Sequence, residues 1–162
     1  NCILLKPSEH APATAAVIKS LLKEHFDPQY ISAIDGDGAK LVPLAMNSFV
    51  FDHVFFTGST AVGKKIYQMA AENLVPVTLE LGGKSPCVVE ADANLAIAAK
   101  RIVVTKFSNA GQMCVAPDYL LVHSSVKEEF TALLKKYITR FFGSDAAQSA
   151  SYGRIINQSH LF

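Results

Sequence analysis

Two stretches of this chain carry residue types suited to covalent catalysis. One runs Val77-Thr-Leu-Glu80-Leu-Gly-Gly-Lys84, the other Asn109-Ala-Gly-Gln-Met-Cys114. A Glu that closes an apolar strand is placed to accept a proton, and a Cys after a Gly-containing bend can present an exposed thiolate. The two lie 114 − 80 = 34 residues apart, far enough to come from different elements. Each has a bland reading too: a lone Cys is commonly a small buried hydrophobe, and a lone Glu a solvated surface charge. Context favours chemistry. Cys114 sits in a loop beside Gly111 and Gln112, whereas Cys2 and Cys87 lie in apolar strands and read as core thiols. Glu80 stands between Leu79 and Leu81 at a strand end, where partial burial would make it a stronger base. His10, His25, His53, His123 and His160 are scattered with none in a motif, so a Cys–Glu pair is a better candidate than Cys–His.

Two further constellations suit a nucleotide. Gly58-Ser59-Thr60-Ala61-Val62-Gly63 follows a strand and opens a helix, so its backbone N–H groups and the helix dipole can hold a phosphate. It is neither G-x-G-x-x-G nor a Walker loop, and many strand-to-helix turns use Gly and Ser only for turning and capping. Lys6-Pro-Ser-Glu9 leaves the first strand with a cation and a carboxylate in a proline-stiffened turn. Glu9 can accept hydrogen bonds from ribose hydroxyls and Lys6 can donate to them; the alternative is a solvated loop with ordinary charges.

The elements that must position these residues alternate. An apolar strand from Cys2 to Lys6, stopped by Pro7, precedes a helix over 11–25 with Val17, Ile18, Leu21 and Leu22 at helical spacing. Strands follow at 30–34, 53–56 and 75–81, with helices around Leu41 to Met46 and on the face marked by Val62, Ile66, Met69 and Ala70. This strand–helix order implies a mainly parallel sheet covered by helices, with sites at the carboxyl ends of its strands, where Lys6, Gly58 and Glu80 all fall. After a boundary placed near Gly83, a strand over 86–90 leads to a helix capped by Asp92, and a strand over 119–123 to a helix with Ser125 and Glu128 as capping box. Gly143 should end that last helix.

Composition limits the alternatives. Of 162 residues, 50% are hydrophobic and 18% charged, which is a globular balance, and the apolar runs are too short to span a bilayer. The formal net charge is +1 and the 15 basic residues are dispersed, which argues against nucleic acid as a partner. Three cysteines without a C-x-x-C pair suggest neither a zinc site nor a disulfide framework, and fit a reducing compartment. The chain opens without Met and closes on Leu161-Phe162, so we expect a fragment of a longer protein.

Taken together, Lys6-Pro-Ser-Glu9, Phe56-Thr-Gly-Ser59 with Gly63, Leu79-Glu-Leu-Gly-Gly-Lys84 and Gly111-Gln-Met-Cys-Val-Ala-Pro-Asp118 resemble the aldehyde dehydrogenase superfamily in order and spacing. With Gly153-Arg-Ile-Ile-Asn-Gln158 the likeness is greatest to its class 3 and fatty aldehyde branch. It implies a Rossmann-like α/β fold, with residues 1–83 the later part of an NAD(P)-binding domain and 84–162 the first part of a catalytic domain. It further implies Cys114 as nucleophile toward an aldehyde and Glu80 as the base that activates water against the thioester. Lys6 and Glu9 would meet the adenosine ribose, the turn from Gly58 to Gly63 the pyrophosphate, and Leu81 and Gly82 the nicotinamide. NAD is the implied cofactor, since Glu9 would repel a 2′-phosphate, with NADP also used in that branch. A homodimeric parent, in the cytoplasm or on the cytoplasmic face of a membrane, is the corresponding expectation.

The family's oxyanion-hole Asn would lie before residue 1 and its nicotinamide-ribose Glu beyond Phe162. Two departures stand out: Met113 where the branch often has Thr, and Ala-Lys-Leu-Val after Gly38 in place of a Glu-Thr-containing loop. The rival readings are a non-catalytic fragment, a nucleotide-binding module with a redox-sensitive Cys, and an acyl transferase that uses the same Cys.

Overall fold

The computed structural model describes residues 1–161. The chain forms two compact units, one of Asn1–Thr57 with Ala61–Glu80, the other of Gly58–Thr60 with the residues from Leu81 onward.

In the first unit the order is β1 (Ile3–Leu5), α1 (Pro12–His25), β2 (Ile31–Ala33), α2 (Gly38–Ser48), β3 (Val54–Thr57), α3 (Thr60–Ala71) and β4 (Val77–Glu80). β1 pairs with β2, and β3 with β4, both in parallel, with Ile3 opposite Ile31 and Thr57 opposite Glu80. This is the Rossmann-like α/β alternation expected, but the described strands pair as separate two-stranded parallel sheets, not as the one sheet the alternation implied. Pro12 starts α1, where a missing N–H costs nothing, and Lys23 and His25 sit in its last turn against the negative end of the dipole. α2 begins at Gly38, three residues before the apolar run that announced it. The Asp37 carboxylate accepts the Ala39 N–H at 2.9 Å and so caps the helix from within what reads as a turn-rich loop. Ala15, Met46, Ile66 and Ala70 are buried, while Phe55 and Leu44 stay exposed. Cys2 is also exposed and lies just outside β1, so the core position expected of it is not observed.

The second unit holds β5 (Ser85–Val89), α4 (Leu95–Phe107), β6 (Pro117–Val122) and α5 (Lys127–Phe142), with β5 and β6 parallel. Val89, Ala99 and Phe130 form its buried centre, and Leu95, Ala98, Ile102, Leu120, Val122, Leu133 and Leu134 pack on it. Leu95, Ala98, Ala99 and Ile102 recur at helical spacing on α4, as Phe130, Leu133 and Leu134 do on α5. Two caps differ from the reading of the sequence. Asn94, not Asp92, caps α4 by accepting the Ile97 N–H at 3.1 Å. The capping box at Ser125 is absent, because His123 Nδ1 accepts the Ser125 N–H and nucleates a 3-10 turn over Ser124–Val126 before α5 begins. Gly143, at φ 83°, does end α5, in the left-handed region that glycine enters without a Cβ penalty. Among the described residues no helix is long and apolar enough to cross a membrane.

Candidate active site

Cys114 is carried on the loop between α4 and β6. It occupies the second place of a turn closed by the Ala116 N–H on the Met113 carbonyl at 3.1 Å, and it is exposed. Ala116, at the end of the turn, is buried and anchors it. An exposed Cys on an anchored turn is the presentation a nucleophile requires. Cys87 is half-buried in β5, as a packing thiol would be.

The loop is tied from both sides. Where β6 starts, the register with β5 slips, so that Ser85 faces Pro117 but Pro86 faces Tyr119. Asp118 is the extra residue of this bulge, and its carboxylate pairs with Lys84 at 3.4 Å and with Lys106 at 3.9 Å. Gly83 approaches still closer: a Cβ built on it would stand 2.9 Å from the Cys114 carbonyl oxygen. Real Cβ atoms do not tolerate that distance to backbone, so here the second glycine of the Gly82-Gly83 pair has a packing reason. Gly82 has none, since its added Cβ would meet nothing within 4 Å.

A consequence can be measured. Gly83→Ala should force the Met113–Ala116 turn to shift, at a cost of about 1–3 kcal/mol typical of overpacking, whereas Gly82→Ala should leave stability nearly unchanged. Denaturation midpoints of the two variants, with iodoacetamide labelling of Cys114, would check this. Equal midpoints would refute the contact.

Glu80 is the last residue of β4, opposite Thr57 at the end of β3. It is exposed, so the partial burial expected of it is not observed. Gly58 follows directly on Thr57, and Gly63, inside α3, is buried. Thr60, Ala61 and Val62 make up the first turn of α3, and Ser59 precedes it.

The exit of β1 is better defined. The Lys6 ammonium donates to Glu9 Oε2, and the Gly38 N–H at the start of α2 donates to Glu9 Oε1 at 3.3 Å. The bond from Lys6, then the backbone N–H of Glu9 itself and that of Gly38, lower the Glu9 pKa to about 2. Because the folded value lies below the ordinary one, folding favours the ionised form. The benefit is complete above the usual carboxylate range and is lost as pH falls through about 2. Glu9 therefore remains an anion at every pH at which an enzyme is ordinarily assayed. The contact with Gly38, 29 residues on, is one the sequence pattern did not reveal. The only local signal is the glycine itself: a Cβ there would stand 3.1 Å from Lys6 Nζ.

The chain has known counterparts in sequence and fold. The profile of the aldehyde dehydrogenase family matches residues 1–161. The chain belongs to that family. It is 52% identical to a 4,4′-diaponeurosporen-aldehyde dehydrogenase of Staphylococcus aureus over 160 residues, 99% of this chain and 34% of the relative. It is 46% identical to the dimeric NADP-preferring aldehyde dehydrogenase of Mus musculus over 161 residues, 99% of this chain and 35% of that protein. Among solved structures, the substrate-bound state of the Staphylococcus aureus aldehyde dehydrogenase superposes with a TM-score of 0.88 at 51% identity, covering 99% of this chain and 34% of that one. An indole-3-acetaldehyde dehydrogenase in complex with NAD+ gives a TM-score of 0.85 at 32% identity, covering 98% of this chain and 33% of that one. The chain thus spans about a third of the length of these aldehyde dehydrogenases.

Proposed function

We propose that the full-length protein carrying this chain oxidises an aldehyde to a carboxylic acid with NAD or NADP, with Cys114 as nucleophile and Glu80 as general base. The observation that carries this is the exposed Cys114 on its anchored turn, in a chain of the aldehyde dehydrogenase family. On this reading residues 1–83 belong to the cofactor-binding domain and 84–162 to the catalytic domain. The dimeric relative supports a homodimer.

The residues at the exit of β1 suit a nucleotide. Glu9 is ionised and exposed, and can accept from ribose hydroxyls, while Lys6 beside it can donate. The open space over Gly82 fits the planar ring that the family places beside Leu81 and Gly82. The exposed turn from Gly58 to Ala61 and Val62 offers the start of α3 to a pyrophosphate. When bound, the cofactor supplies a hydride acceptor.

The chain's own residues do the rest. The Cys114 thiolate adds to the carbonyl carbon; a C–S bond forms, the C=O π pair moves to oxygen, and backbone N–H groups stabilise the resulting oxyanion. As the C=O bond reforms, the carbon releases hydride with its electron pair, leaving a thioester on Cys114. Glu80 removes a proton from water, the water oxygen bonds to the acyl carbon, and the C–S bond breaks to return the thiolate and release the acid. Mass spectrometry of the protein quenched during turnover should find the acyl group on the peptide containing Cys114. Turnover with that peptide unmodified would refute the covalent route.

Cofactor choice turns on Glu9, whose charge opposes a 2′-phosphate at close range. Glu9→Gln should lower the preference for NAD over NADP by roughly tenfold, as the ratio of kcat/KM values with the two cofactors. An unchanged ratio would remove Glu9 from the ribose site.

A further inference from the structure

Two segments 42 residues apart are joined through one side chain. Gln112 Nε2 donates to the carbonyl oxygens of Asn109, at 2.9 Å, and Arg154, at 3.0 Å. Its Oε1 accepts the Ile156 N–H at 2.9 Å. Both ends of the carboxamide are therefore engaged, two residues before the nucleophile. We infer that Gln112 is a positioning residue: it locks the strained turn before Cys114 onto the Tyr152–Ile156 segment, and so holds the sulfur where the aldehyde carbon must arrive. This rests on the reading of Cys114 as nucleophile.

The turn needs holding. Asn109 and Ala110 have φ of 53° and 54°, and Gly111 follows at 82°, so three consecutive residues are left-handed. Asn and Gly enter that region readily, whereas the Cβ of Ala110 is crowded there. Such a turn persists only where its surroundings over-determine it. Gln112 closes it twice, through its backbone N–H to the Asn109 carbonyl at 3.1 Å and through its side chain to the same oxygen. A Cβ on Gly153 would lie 3.4 Å from Asn109 Cα, so the second segment lies close against the turn.

That second segment is itself rigidly mounted. Tyr152 packs edge-on against Phe142 at 5.3 Å between ring centroids and lies 6.3 Å from Phe107, which fixes it to α5 and α4. Arg154 Nη1 donates to the carbonyls of Tyr152 and Gly153, and Nη2 to that of Ala147 at 2.7 Å. Position therefore passes from the helices through Tyr152 and the backbone at 154 and 156 into Gln112, and from there into the Cys114 turn.

Gln112→Glu tests this in the full-length protein. The replacement keeps the shape and the acceptor for Ile156, but an ionised carboxylate would face two carbonyl oxygens that need a donor. A protonated carboxyl can donate to one of them. The variant should therefore lose about 10- to 100-fold in kcat at neutral pH, with KM for the cofactor unchanged. It should recover as pH falls, and Cys114 alkylation by iodoacetamide should recover in parallel. A merely structural role would lower the denaturation midpoint and move neither the pH profile nor the split between kcat and KM. If Gln112→Glu does not fold, Gln112→Asn carries the test: too short to bridge both segments, it should lower kcat in the same selective way.

Wild-type kcat and an unchanged pH profile in the folded variant would overturn the inference. Full activity in Cys114→Ser would instead overturn the reading beneath it, so the two failures are distinguishable.

Discussion

Replacing Cys114 by Ser should lower aldehyde oxidation by the full-length protein by about 10³-fold or more, while Cys2→Ser leaves it unchanged. A thiol is a few per cent thiolate at neutral pH and intrinsically very nucleophilic, whereas an aliphatic hydroxyl needs an adjacent base to react at all. His123, the nearest of the five histidines along the chain, places Nδ1 against Ser125 Oγ at 2.8 Å and accepts the Ser125 N–H, so it serves the turn before α5. Cys2 is exposed as Cys114 is, but lies just before β1 and outside any motif. Comparing the two variants by the rate of reduced-cofactor formation separates the role of a nucleophile from that of any accessible thiol. Retention of activity by Cys114→Ser would remove Cys114 as the nucleophile.

What could be read in the sequence was whatever depends on local pattern. Apolar spacing located α1, α3, α4 and α5 and the six strands to within a few residues, since each must bury one face. The alternation of strands and helices implied parallel pairing, and all three observed pairs are parallel. Cys114 could be separated from Cys87 because one sits beside glycine in a loop and the other within an apolar run.

What could not be read depends on partners distant in sequence. Asp92 and Asn94 are both good caps; which is used follows from where Leu95 and Ala98 must enter the core. Ser125 and Glu128 satisfy a capping-box pattern that the His123 side chain pre-empts. Nothing local announces that Ala110 will take a left-handed φ, that Gly83 must pass within van der Waals contact of Cys114, or that Gln112 will bond to Arg154 and Ile156. The motifs show these glycines and this glutamine, but only the geometry gives their reasons. Glu80 is the converse case. Its neighbours Leu79 and Leu81 suggest burial, yet it ends β4 and is exposed, so its assignment stands on its position and on the family.

That position makes a second large effect testable. Glu80→Gln preserves size and hydrogen-bonding shape but removes the ability to take a proton from water. In the mechanism proposed above, addition of the Cys114 thiolate and release of hydride make no use of a carboxylate, whereas thioester hydrolysis does. The variant should therefore produce one equivalent of reduced cofactor per site in a fast first turnover and then stall, with steady-state turnover lower by about 10²- to 10⁴-fold. Rapid-mixing kinetics would show the burst, and intact-mass measurement the acyl group remaining on the protein. The acyl-transfer alternative makes the opposite forecast: a thiol acceptor such as coenzyme A would discharge the thioester with or without Glu80, and turnover in its presence would not depend on the substitution. A variant that lost the burst as well would place Glu80 at the addition step, in the service of Cys114 itself. A variant that turned over as the parent does would leave water activation to another group and remove Glu80 from the mechanism.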